Sequence, residues 1–117
     1  MAKRKLGIKR EALRDLCQFF SLLSDETRLG LCLLLVEGGE NVGALCGKLG
    51  LAQPTVSHHL GLLRRGRVVN AERRGKQVVY TLNVRTLEGA GKSLLKGIPG
   101  GGAVKLGGVL NVKSGRG

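Results

Sequence analysis

Aromatic side chains are nearly missing from this 117-residue chain: Phe19, Phe20 and Tyr80 make up 3% of it, and tryptophan is absent. Proteins that read RNA or single strands stack bases on aromatic rings, so this scarcity argues against that mode of recognition. Acidic residues are few as well. Eight Asp and Glu stand against 20 Lys and Arg, a formal charge of +12. Such a basic excess favours a polyanionic partner, and without aromatics it points to duplex DNA, where phosphate contacts and groove hydrogen bonds suffice. Long hydrophobic runs are also lacking. The longest, Leu29 to Val36, falls far short of the roughly 20 residues that span a bilayer, so no membrane partner is expected. The basic opening MAKRKLGIKR is followed by no apolar signal segment. With an odd set of cysteines (Cys17, Cys32 and Cys46), the expectation is a reducing cytoplasm and no disulfide framework.

Chemistry of the catalytic kind is hard to assemble. The acids are scattered, the two histidines are adjacent, and no glycine-rich loop resembles a phosphate cradle. The chain is expected to be no enzyme and to hold no cofactor.

What is there is helical punctuation followed by a change of period. Residues 1–9 read as a basic arm. From Arg10 to Leu23, apolar residues at Leu13, Leu16, Cys17, Phe20 and Leu23 mark one helix face. Ser24 and Asp25 offer cap oxygens for a second helix to about Val36. Being almost wholly apolar after Arg28, that helix is expected to be the central buried one, ended by Gly38 and Gly39 as left-handed caps. A short helix over Val42–Leu49, a break at Gly50 and another helix from Gln53, with Pro54 in its first turn, form a helix-turn-helix pattern. After Arg67 the period becomes alternating. Residues 68–70 and 77–82 read as strands, with Ala71–Lys76 as a basic hairpin tip. A final helix over Val84–Ile98 carries Gly89 and Gly91, each weakening it by about 1 kcal/mol against alanine, so it needs a partner surface. The predicted fold is mainly α with a small β-hairpin, a winged helix-turn-helix of order α-α-α-α-β-β-α. The domain spans 10–98, and 99–117 form a Gly-rich flexible tail.

On a helix of 3.6 residues per turn, Val56, His59, Leu60 and Leu63 share one side and are expected in the core. The opposite side near the N-terminus is short and able to hydrogen bond, as a helix in the major groove must be. Gln53, Thr55, Ser57 and His58 are the candidate groove readers, although Thr55 and Ser57 taken alone are also what a solvated surface carries. Adjacent histidines point about 100° apart, so His58 and His59 make a poor metal pair. Arg73, Arg74 and Lys76 at the hairpin tip are candidate contacts to the DNA backbone or flanking minor groove; the plainer reading is a solvated basic turn.

These residues carry a specific resemblance. SDETRL at 24–29, QPTVSHHL at 53–60 and RRGKQVVYTLN at 73–83 together resemble the ArsR/SmtB family of bacterial repressors, from Phe20 to Asn83. The resemblance implies a homodimer joined through first and last helices, binding an imperfect palindrome and released by an inducer. It assigns groove reading to Gln53, Thr55, Ser57 and His58 and DNA contact to the Arg73–Lys76 wing. It also exposes departures. Asn41 and Gly43 stand where arsenic- and cadmium-sensing members carry a Cys-x-Cys pair, leaving only Cys46 at a position that some of them use. The last helix has neither the Asp and His ligands of zinc sensors nor the cysteine of persulfide sensors. Ala52 replaces a usual Ser cap, and Arg67 a usual Gly. No metal site is therefore expected.

The leading expectation is a sequence-specific repressor of a nearby operon with double-stranded operator DNA as partner and an unknown inducer. Two alternatives stay open: an architectural DNA binder of low specificity, and a thiol-responsive repressor using Cys46 with Cys17 or Cys32.

Overall fold

The computed structural model describes residues 7–96. Most of the expected N-terminal arm, the whole expected tail and the end of the last helix at Ile98 lie outside the described residues. Within them the order is α1 (Arg10–Leu23), α2 (Glu26–Leu35), β1 (Glu40–Asn41), α3 (Val42–Leu49), α4 (Gln53–Arg65), β2 (Val69–Arg74), β3 (Gln77–Leu82) and α5 (Val84–Lys96).

Asp25 caps α2 by accepting the Arg28 amide at 3.0 Å, satisfying a donor the helix itself leaves open. Ser24, the other expected cap, works backwards: its hydroxyl donates to the Ser21 carbonyl at 2.9 Å and closes α1. α2 stops at Leu35 and buries Leu31, Cys32 and Leu35, while Leu29, Leu33 and Val36 remain exposed. As expected, this helix is the central one, packed against α1, α3, α4 and β3, but one side of it stays open. With Leu45, Val56, Leu60, Leu63, Val68 and Val69, those residues form the core. Each fully buried leucine stabilises by about 1.5–3 kcal/mol. α1 contributes only Leu16 to the buried set and α5 nothing. Both keep large apolar side chains in the open, Leu13 and Phe20 on α1 and Val84 and Leu94 on α5.

The sheet holds one strand more than the expected hairpin, in the order β1-β3-β2. β1 pairs Glu40 with Tyr80 and Asn41 with Val79; a two-residue strand has no alternation to betray it. Its presence explains Gly39. A Cβ there would lie 2.8 Å from Val79 Cγ1 and 3.0 Å from Thr81 Cγ2, so the residue permits close approach to β3 and is not a helix cap. The wing strands are also longer than expected. Arg74 pairs with Gln77, leaving Gly75 and Lys76 as a two-residue loop. Gly75 at φ 65° takes the first loop position, as the tight hairpin turns require.

α4 closes with the Val68 amide donating to the Leu63 carbonyl at 2.9 Å around Arg67 at φ 62°. Glycine is the usual residue in that left-handed position, and a side chain there costs about 1 kcal/mol. Among the described residues Arg67 is the one non-glycine with positive φ.

Candidate nucleic-acid interface

Three features position α4. The Asn41 side chain caps α3 by accepting the Ala44 amide at 2.8 Å. α3 then ends at Gly50, whose φ of 68° and amide bond to the Cys46 carbonyl at 2.8 Å turn the chain within a few residues. α4 begins after Ala52, which supplies no side-chain cap; Pro54 in the first turn needs no donor there. The helix then buries Val56, Leu60 and Leu63 completely. That seating fixes its rotation, leaving Gln53, Thr55, Ser57 and His58 together on the exposed side. None of the four makes a side-chain hydrogen bond among the described residues, so each is free to meet a ligand.

His59 belongs to neither set. It lies on the inward side, as its spacing predicts, with 17% of its side chain exposed, but its partners are polar. Nδ1 stands 3.1 Å from Arg28 Nη1 and 3.8 Å from Asp25 Oδ2. Arg28 Nε in turn donates to the Leu22 carbonyl at 2.7 Å. A single arginine therefore ties α4 to the junction of α1 and α2. A guanidinium has only donors, so in this contact Arg28 donates and His59 Nδ1 accepts. The Arg28 amide, helped by the nearby Arg28 guanidinium, holds the Asp25 carboxyl below its ordinary value of 3.8. Sequence reasoning missed this link. Its one signal was a lone cation opening an otherwise apolar helix.

The wing carries Arg73, Arg74 and Lys76, all exposed. Strand alternation sends Arg73 and Arg74 to opposite faces. Arg74 is paired with Glu72 at 2.9 Å, whereas Arg73 and Lys76 form no ion pair among the described residues.

No group of three or more Cys, His, Asp or Glu suited to a metal occurs among the described residues. Asn41, where a thiolate would be wanted, spends its side chain on the α3 cap and on Gln77 Oε1 at 3.3 Å. Cys17, on the apolar face of α1, is exposed; Cys32 is buried, and Cys46 is half-buried against the core. Burial pushes the Cys32 thiol up to about 11, leaving it protonated and unreactive near neutrality.

A recognition helix held on a three-helix core, beside a basic two-stranded wing, defines a winged helix-turn-helix domain. Comparison with known proteins narrows this. The model of the bacterial regulatory proteins of the arsR family matches residues 25–71, from the α2 cap into β2. The chain is 32% identical over 69 residues to the transcriptional repressor SdpR of Bacillus subtilis, covering 59% of this chain and 77% of that protein. It is 48% identical over 67 residues to the arsenical resistance operon repressor of Escherichia coli, covering 56% of this chain and 57% of that one. Among solved structures, the transcriptional repressor BigR of Xylella fastidiosa superimposes with a TM-score of 0.60 at 33% identity, over 71% of this chain and 90% of that one. The homodimeric winged helix-turn-helix domain of Mb0332 from Mycobacterium bovis gives 0.62 at 27% identity, over 75% and 81%. The chain belongs to the arsR family. No helix among the described residues is long and apolar enough to cross a membrane.

Proposed function

We propose that this protein is a cytoplasmic, homodimeric repressor that binds a specific double-stranded operator and works as a binding protein, not an enzyme. The observation that carries the reading is the division of α4. Its inner face is locked by Val56, Leu60, Leu63 and His59, and its outer N-terminal face presents Gln53, Thr55, Ser57 and His58 beside a cationic wing. Gln53 can bond bidentately to adenine, the two hydroxyls are small enough for close approach, and His58 can reach a base or a phosphate. Arg73, Arg74 and Lys76 supply the sequence-independent phosphate contacts. Dimerisation is supported by the exposed Leu13, Phe20, Val84 and Leu94 on α1 and α5, and by the homodimeric state of the Mycobacterium bovis relative. A two-fold axis would set two α4 helices about 34 Å apart, one turn of DNA.

The test is a titration against the gene's own upstream region and a random duplex at two salt concentrations. A repressor binds the upstream region far more tightly, and Ser57→Ala or Gln53→Ala changes which sequence is preferred. Equal affinity for both duplexes would make it an architectural binder instead. The thiol-responsive alternative has less behind it: Cys32 is buried and held protonated, and no three-thiol cluster exists among the described residues.

A further inference from the structure

Between α1, the end of α4 and α5 lies a cavity of about 670 Å³, within the size range of small-ligand sites (roughly 300–1,000 Å³). Leu16, Phe19 and Leu22 of α1 give it an apolar wall, and α5 faces it with the small residues Gly89, Ala90 and Ser93. A Cβ on Gly89 would meet nothing within 4 Å, so close packing does not account for the glycine. Charge lines the same cavity. Arg67, Arg85 and Asp15 all border it, and none of the three makes a side-chain hydrogen bond or ion pair among the described residues. Arg65 borders it too, but its Nη1 folds back to within 3.8 Å of where a Gly61 Cβ would stand.

Arg67 is also the residue held at φ 62°. A side chain kept in that conformation, where glycine would sit without strain, marks a position whose side chain has a use. Its place on the cavity border supplies one.

We infer that this cleft binds a small amphipathic organic anion: a carboxylate or sulfonate on an apolar body of about one or two rings. The planar arginine fork matches such a head group, and the α1 wall takes the ring. Asp15 on the same border repels a polyphosphate, so one negative charge is favoured over several. The apolar faces proposed for dimerisation lie apart from the charged border of the cleft. At 100° per residue, Leu13 and Phe20 lie on the side of α1 away from Asp15 and Phe19, and Val84 and Leu94 on the side of α5 away from Arg85 and Gly89. The cleft adjoins both the end of α4 and the helices proposed to dimerise, so an occupant there can bias DNA binding. That consequence rests on the repressor reading; the site itself does not.

The experiment titrates the full chain, without DNA, with 1-anilinonaphthalene-8-sulfonate and follows its fluorescence. Saturable binding of one probe per protomer is expected, weakened about tenfold by Arg67→Gly and by Arg85→Gln. Arg67→Gly removes the guanidinium while relaxing the backbone, so its melting temperature should not fall, and lost binding cannot then be blamed on misfolding. Unsaturable binding, or affinities unchanged in both variants, overturns the proposal. So does an Arg67→Gly protein that keeps the probe but binds DNA more weakly with a shallower salt dependence, because Arg67 would then be a phosphate contact. Failure of operator binding with intact probe binding would remove the repressor reading and leave the site standing.

Discussion

Two neighbouring histidines on one helix should respond oppositely to the same change. His58 is exposed and touches no other side chain through a hydrogen bond among the described residues. Replacing it by alanine should leave stability within about 0.5 kcal/mol. If it reaches a base, operator affinity should drop by about 1–3 kcal/mol, or roughly 5- to 150-fold in Kd. His59 accepts from the Arg28 guanidinium at 3.1 Å and is largely covered. Its removal leaves a partly buried charged donor without its acceptor, which costs about 1–3 kcal/mol. For a domain of this size that lowers Tm by roughly 5–15 °C. The assays are thermal unfolding of the free protein and fluorescence-anisotropy titration of a labelled operator. A His58→Ala protein that melts early, together with a His59→Ala protein of normal Tm, would refute the assignment of the two faces.

Gly39→Ala should lower the urea midpoint, because its Cβ would stand 2.8 Å from Val79 Cγ1 and overpacking of this kind costs about 1–3 kcal/mol; an unchanged midpoint would mean that β1 moves freely off β3. Glu72→Gln should release Arg74 from its 2.9 Å ion pair and tighten binding to random duplex, steepening the salt dependence, whereas weaker binding would show that Arg74 faces away from DNA. Asp25 has a depressed folded-state value, so its contribution is fully present above the unfolded value of 3.8 and is lost as the pH falls through the folded one. The Tm difference between the wild type and Asp25→Asn should therefore shrink as the pH is lowered below about 4, and a difference that stays constant would assign the cap no charge effect.

The reading helix was legible because its evidence is local. Buried Val56, Leu60 and Leu63 recur at helical spacing, the polar set occupies the complementary positions, and Gly50 and Pro54 punctuate the start. The wing was legible through Gly75 and the β-branched run after it. What the sequence hid depends on contacts distant along the chain. Asn41 looks like a missing metal ligand until it is seen capping α3, and Gly39 looks like a helix stop until β3 is laid against it. The Arg28–His59 pair joins residues 31 apart, which no periodicity can express. α2 misled for a related reason. Its leucines are apolar all round, but α1, α3, α4 and β3 together leave one side of the helix uncovered, so Leu29 and Leu33 stay exposed.

At Arg67 the sequence pattern and the backbone geometry meet. Its sequence position suggests a lost glycine and a small loss of stability, and φ 62° confirms that the backbone still makes the turn glycine would make. The strain, about 1 kcal/mol, is small against the roughly 5–15 kcal/mol by which most proteins are stable. Arg67 borders the charged cleft between α1 and α5, where the proposed anion would meet its guanidinium. Measuring stability and anion binding on the same Arg67→Gly protein separates the two terms: a higher Tm with weaker binding is the signature of a residue retained for its ligand.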